Sequence, residues 1–384
     1  MTSAPNRLQQ LHDAGQSIWL DFIDRTILYN GELERRIRDD ALTGMTSNPT
    51  IFEKALAEGT AYDEQLSSAA GDLTSWQLFE LVESDDVRTA CDLFRGAHDQ
   101  ASGADGFVSI EVSPGSAHDE TATLEEAKRL WSAVDRPNLM VKIPGTAEGA
   151  RAVRRSIAEG ININITLLFA IDAYRAVSDA YMSGLEDRLG RGRPIDGIHS
   201  VASFFVSRVD SEVDKRVDAL LPKLSGSARS ALEQLKGKAA VANAQLAYEL
   251  FQQSVDSPRW KALAQRGANV QRPLWASTST KNPAYRDVMY VERLIGPDTV
   301  NTMPPNTIES FRDHGEVKRT VDADYEAARR VLADLESAGI SFRSVTDKLL
   351  SDGLASFSKS FDTLIAGLEA KTRSLGREMS TRAG

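Results

Sequence analysis

The sequence predicts an α/β fold, a (β/α)8 TIM barrel with additional helices. Eight short apolar or alternating runs recur along the chain, and longer stretches of helical periodicity separate them. No GxGxxG or GxxxxGKS/T element follows any of these runs, which removes the usual reason to read the alternation as a nucleotide-binding sheet. Strand alternating with helix implies parallel βαβ units, and eight such units in 384 residues suit a closed barrel.

The runs, in order, are SIWLDFID (17–24), ALTGMTSN (41–48), GFVSIEVS (106–113), LMVKIP (139–144), ININITLLF (161–169), IHSVASFFV (198–206), RPLWAST (272–278) and TVNTMPP (299–305). Helical spacing between them is clearest over Thr123–Val134, Ala147–Ile157 and Asp172–Leu189. Residues 208–265 exceed the minimum barrel as a helical insert between the sixth and seventh strands, with a polar break at LSGSARS (224–230). Residues 315–376 form a helical C-terminal extension. Neither region carries a Pro/Gly/Ser linker, so residues 1–384 are expected to form one barrel domain with helical additions packed against it.

Composition narrows the partners. Hydrophobic residues at 41% and charged residues at 26% exclude wholesale disorder and low-complexity classes. No run approaches the ~20 apolar residues of a membrane span, so no membrane partner is expected. The opening MTSAPNRLQQLHDAGQ has neither a basic nor an apolar signal region, and a lone Cys91 cannot form an internal disulfide; both lead to the expectation of a cytoplasmic protein. A net charge of −10 opposes nucleic acid, yet a few local cations can still attract a small phosphorylated ligand. Five scattered histidines show no HExxH or HxH spacing, so no metal is expected. His199 reads as a core or rim residue, and Arg151, Arg154 and Arg155 as a solvated helix face. The sequence leaves the oligomeric state open between monomer and homodimer.

Polar residues inside the runs carry the functional signal. In LMVKIP, Leu139, Val141 and Ile143 share one face and Lys142 takes the other; Glu111 opposes Val108, Ile110 and Val112, and Asp21 opposes Ile18, Leu20 and Phe22. ININIT sets Asn162, Asn164 and Thr166 against three isoleucines, an alternation that a half-exposed edge strand would also give. Lys, Glu and Asp are seldom fully buried without pairing, so a structural ion network inside the barrel is one reading. Catalysis is the other, because barrel active sites gather groups from the C-terminal ends of several strands. A lysine there is desolvated, which favours the neutral amine, a nucleophile for carbonyl carbon. An amine, two carboxyls able to move protons, and a set of hydroxyls and amides make a class I aldolase site without metal or organic cofactor.

The segments TSNPTIFEKAL (46–56), LMVKIPGTAEG (139–149), ININITLLF (161–169) and SFFVSRVD (203–210) resemble transaldolase motifs, in that family's order and over about residues 17–310. The helical C-terminal extension is similar to that of the longer bacterial forms. By this resemblance Lys142 is the Schiff-base lysine and Asp21 the acid/base for carbon–carbon cleavage. Glu111 and Thr166 would hold a catalytic water. Asn48, Asn164 and Ser203 would position substrate, Phe205 would flank the site, and Arg208 would bind phosphate. Many transaldolases carry a second phosphate-binding arginine after the seventh strand; ASTSTKNP (276–283) offers Ser277 and Lys281 instead, and lysine lacks arginine's two-pronged geometry.

The resemblance further implies transfer of a dihydroxyacetone unit from sedoheptulose 7-phosphate to glyceraldehyde 3-phosphate, a step of the non-oxidative pentose phosphate pathway. Two other readings stand beside it: a fructose 6-phosphate aldolase that releases the three-carbon unit, and a non-catalytic sugar-phosphate-binding barrel. Phe205 favours transfer, since the aldolase relatives tend to carry a tyrosine there.

Overall fold

Parallel pairing in chain order closes the strands into a ring of eight: β1 (Gln16–Asp21), β2 (Leu42–Thr46), β3 (Phe107–Glu111), β4 (Leu139–Pro144), β5 (Ile163–Leu168), β6 (Ser200–Phe205), β7 (Gln271–Ala276) and β8 (Thr299–Met303), with β8 returning to β1. This computed structural model describes residues 6–47, 50, 52–53, 56, 59–69 and 73–382. Every predicted run contains its strand, Gln16 and Gln271 being the only extensions.

Period-two alternation sorts the side chains into two apolar bodies. Ile18, Leu20, Val141, Ile143, Ile163 and Ile165 face outward into the large core beneath the helices. Trp19, Phe107, Met140, Val201, Leu274 and Val300 fill the interior as a smaller, separate body. Fully burying side chains of this size stabilises by about 1.5–3 kcal/mol each. Trp19 fits because Gly44 opposite has no Cβ; one built there would lie 2.5 Å from the indole nitrogen. The indole N–H donates to Asp105 at 2.9 Å. Below it, the His98 and His199 rings pack on Phe107 at 5.2 and 5.1 Å. Burial, aided by His98 and Arg272, pushes His199 down to about 4, so this imidazole is neutral and closes the floor of the barrel.

Four α-helices lie between β6 and β7: Ser207–Leu220, Gly226–Glu233, Ala239–Asp256 and Pro258–Ala264. The expected break at 224–230 is narrower in the structure, because a helix already begins at Gly226 after the Pro222 turn. Past β8 come Pro305–His314, Tyr325–Ser337 and a 41-residue helix, Phe342–Arg382. No helix among the described residues is long and apolar enough to cross a membrane.

Gly44→Ala forces a methyl group into the Trp19 ring. It is expected to cost about 1–3 kcal/mol and lower the melting temperature by several degrees. An unchanged melting temperature would mean that Trp19 does not occupy the interior.

Candidate active site

Above the filled floor lie the C-terminal ends of the strands. A cavity of about 360 Å³ lies there. Asp21 ends β1, Glu111 ends β3, Lys142 stands on β4 and Thr166 on β5, and all four line it. Parallel register sets Glu111 beside Lys142 and Lys142 beside Asn164. Lys142 is 8% exposed, and its amine donates to Glu111 at 3.0 Å and to the Ser47 carbonyl at 3.1 Å. Ser47 is in turn pinned to β3 by its hydroxyl on the Ser109 carbonyl at 2.9 Å. Asp21 accepts the Thr46 hydroxyl at 3.1 Å, and Thr46 meets Thr302 of β8 at 2.8 Å.

Asn164 stands beside Lys142 on the next strand and braces its neighbours. Its amide donates to Ser109 at 3.0 Å and accepts from Ser203 at 2.6 Å, bridging β3, β5 and β6. All three side chains, Asn164, Ser109 and Ser203, are buried, and each is hydrogen-bonded to another of the three, as a low-dielectric interior demands. Asn48 lies outside the described residues.

Burial is the main influence on Glu111 and pushes its carboxyl above the ordinary carboxylate range; Lys142 opposes by charge and by hydrogen bond. Behind the pair, the Glu83 carboxyl is also driven well up, by burial first and then by Glu111 and Glu126. A carboxyl within hydrogen-bond reach of an amine is placed to exchange a proton with it.

Cations and hydroxyls mark the opposite rim. Arg208, in the first turn of Ser207–Leu220, holds its guanidinium 4.9 Å over the Phe205 ring, and Phe169 backs that ring at 5.2 Å. Arg208 counts as exposed because it faces the open mouth; protein packed around it nonetheless lowers its pKa, against Asp21 and Glu111. Across from it stand Ser277, Ser279 and Lys281, the lysine donating to Ser279 at 2.8 Å. Ser277 has φ of +57°, a left-handed conformation rare outside glycine and one that redirects the chain as it leaves β7.

The sequence reading missed one wall. Gly353, Ser356, Phe357 and Ser360 of the last helix all line the cavity. They sit at i, i+3, i+4 and i+7, which is one helical face, and that spacing was the available signal. Three sets of contacts fix this helix across the mouth. Arg216 donates to Ser344 at 3.1 Å, Phe361 packs on Trp76 and Phe79 at 4.9 and 5.7 Å, and Lys371 pairs with Asp63 at 2.7 Å. Thr50, also in the cavity, donates to Ser360 at 3.0 Å. Leu167 was missed as well. Strict alternation would turn it outward, but φ of +59° brings it into the cavity beneath Gly353, where an added Cβ would come within 3.1 Å of it.

Among the described residues, no group of three or more His, Cys, Asp or Glu side chains is placed to hold a metal ion. A closed barrel with a buried lysine among carboxyls and hydroxyls at its C-terminal mouth defines a class I, lysine-centred aldolase type. The family described as Transaldolase/Fructose-6-phosphate aldolase matches residues 18–368, and the chain belongs to that family. It is 46% identical to the transaldolase of Trichodesmium erythraeum over 376 residues, covering 96% of this chain and 98% of that one. It is 48% identical to the transaldolase of Thermobifida fusca over 360 residues, 93% and 96% of the two chains.

Removing the lysine charge tests the electrostatics directly. In Lys142→Met the Glu111 carboxyl loses its strongest opposing influence, so its titration, followed by carbon-13 NMR of labelled glutamate, moves further up. A titration that stays where it was would show that the two groups are not coupled.

Proposed function

We propose that this chain is a transaldolase in which Lys142 forms the Schiff base. The observation that carries the reading is the buried Lys142 amine held 3.0 Å from the Glu111 carboxylate inside a cavity rimmed by Arg208 and Lys281. The donor is sedoheptulose 7-phosphate and the acceptor glyceraldehyde 3-phosphate, giving erythrose 4-phosphate and fructose 6-phosphate.

The chemistry follows from the placement. Glu111, with its raised pKa, takes the proton that Lys142 must lose before its lone pair adds to the C2 ketone. The carbinolamine then loses its hydroxyl as water, with Glu111 and Thr166 moving protons, and an iminium remains. That cation draws electrons from the adjacent bond. Asp21 takes the proton of the C4 hydroxyl, C3–C4 breaks, and the aldose leaves with its phosphate. The three-carbon enamine stays on Lys142 and adds to the acceptor aldehyde, with Asp21 returning the proton; water then adds to C2 of the new iminium, the C2–N bond breaks, and the ketose leaves with Lys142 again a free amine.

Phosphate lies far from the reacting carbons, so its contacts with Arg208, Ser277 and Lys281 hold the substrate in the cavity alike before and during the bond changes, and their loss shows in KM. Transfer rather than release requires that protons be kept from the enamine. Two aromatic rings without hydroxyls, Phe205 and Phe357, line the cavity and support transfer.

Fructose 6-phosphate supplied with and without erythrose 4-phosphate tests this. Formation of glyceraldehyde 3-phosphate is expected to depend on the acceptor, and acceptor-independent release at the same rate would make the protein an aldolase. Phe357→Ala is expected to raise the acceptor-independent fraction severalfold; an unaltered fraction would remove Phe357 from this role. Glu111→Gln is expected to lower kcat by about 10²–10⁴-fold and to abolish an acid limb that in the parent lies above the usual carboxylate range. Retention of that limb would assign it to another group.

A further inference from the structure

Arg208 and the Ser277–Lys281 arm come from different strands, so an anion shared between them depends on how firmly the two are joined. The Arg208 helix meets the segment after β7 at three points. The Ser207 amide donates to the Ser277 carbonyl at 2.9 Å, and their hydroxyls lie 2.9 Å apart. Two residues past Arg208, Asp210 accepts the Tyr290 phenol at 2.9 Å. One turn later, Asp214 accepts the Tyr285 phenol at 2.5 Å.

Each carboxylate gives its other oxygen to the insert. The Ala240 amide donates to Asp210 at 2.8 Å and the Gly237 amide to Asp214 at 3.1 Å. Gly237 is required at that point: its φ is +70°, and a Cβ would lie 2.7 Å from the Tyr285 ring. Asp210 and Tyr290 are each only 1% exposed. Burial pushes the Asp210 carboxyl up to about 7 against the pull of these donors. Apolar side chains of similar shape would fill this junction at lower desolvation cost, so packing alone does not account for it. None of the four side chains lines the cavity, yet they tie together the three segments that surround its anion-binding rim.

We infer that Asp210, Asp214, Tyr285 and Tyr290 are positioning residues that lock the Arg208 helix, the Gly237–Ala240 stretch of the insert and the Ser277–Lys281 arm into one unit, so that both cations converge on a single substrate phosphate. This rests on the reading of Arg208 and Lys281 as phosphate contacts. It gives the insert a role: Gly237 and Ala240 are the fixed points against which the two carboxylates orient the helix.

Tyr285→Phe removes one oxygen and Asp214→Asn one charge, both away from the chemistry. Each is expected to raise the KM for fructose 6-phosphate and the inhibition constant of inorganic phosphate by the same factor, about 5- to 20-fold. The kcat should stay within about twofold, and the double variant should be no worse than either single one, since both break one link. Variants whose KM and phosphate inhibition match the parent, or whose kcat falls at constant KM, would overturn the inference. A parent protein that catalyses acceptor-dependent transfer but is not inhibited by phosphate would overturn the reading of the rim beneath it. A parent with no acceptor-dependent transfer would overturn the proposed function instead.

Discussion

Taking an ammonium and a carboxylate out of water costs several kcal/mol per ion, and their mutual attraction returns that only when the geometry is good and the remaining polar atoms are satisfied. Lys142 and Glu111 meet those terms. They sit on adjacent strands in register, 3.0 Å apart, and the Ser47 carbonyl accepts a second bond from the amine. Much of the surrounding architecture holds that pair aligned. Trp19, Phe107 and Met140 fill the barrel below it, and the Asn164 bridge ties three strands at the level of the amine. A pair built for stability alone would be poorly chosen, since apolar residues do that at lower cost. A pair that must pass a proton has no apolar substitute.

Two backbone positions show where the fold yields to the site. Leu167 and Ser277, neither of them glycine, hold φ of +59° and +57° at the ends of β5 and β7. Such conformations cost on the order of 1–3 kcal/mol each and persist only where neighbours over-determine them. Here the neighbours come from the chain's helical additions. The last helix brings Gly353 down onto Leu167, and the helix that opens the β6–β7 insert brings Ser207 to Ser277. Both additions therefore bear on the ends of strands that line the cavity, and the C-terminal helix also covers it.

The barrel was legible because its strands obey a period of two and because polar residues interrupt that period on one side only. Lys142, Glu111, Asp21 and Thr166 could be placed on a common interior from alternation once the strands close into a barrel. Asn164 shares their parity, and its bridge to Ser109 and Ser203 joins three strands. Where local geometry breaks the period, the pattern is silent. The left-handed turn at Leu167 puts two consecutive side chains into the cavity, which no alternation rule anticipates. Gly353, Ser356 and Ser360 escaped for a different reason: small and polar residues on a helix read as a solvated face, and only the closed fold reveals what they face. The Asp–Tyr junction is equally hidden, because its four side chains are up to 80 residues apart in sequence.

The claim on which the rest stands is that the Lys142 amine becomes covalently joined to a sugar ketone. Incubation of the whole protein with fructose 6-phosphate and borohydride, followed by peptide mass mapping, measures it directly. The account predicts one reduced three-carbon unit on the peptide holding Lys142 and none in Lys142→Met. An unmodified Lys142 peptide, or the same unit on another lysine while transfer proceeds, would contradict it.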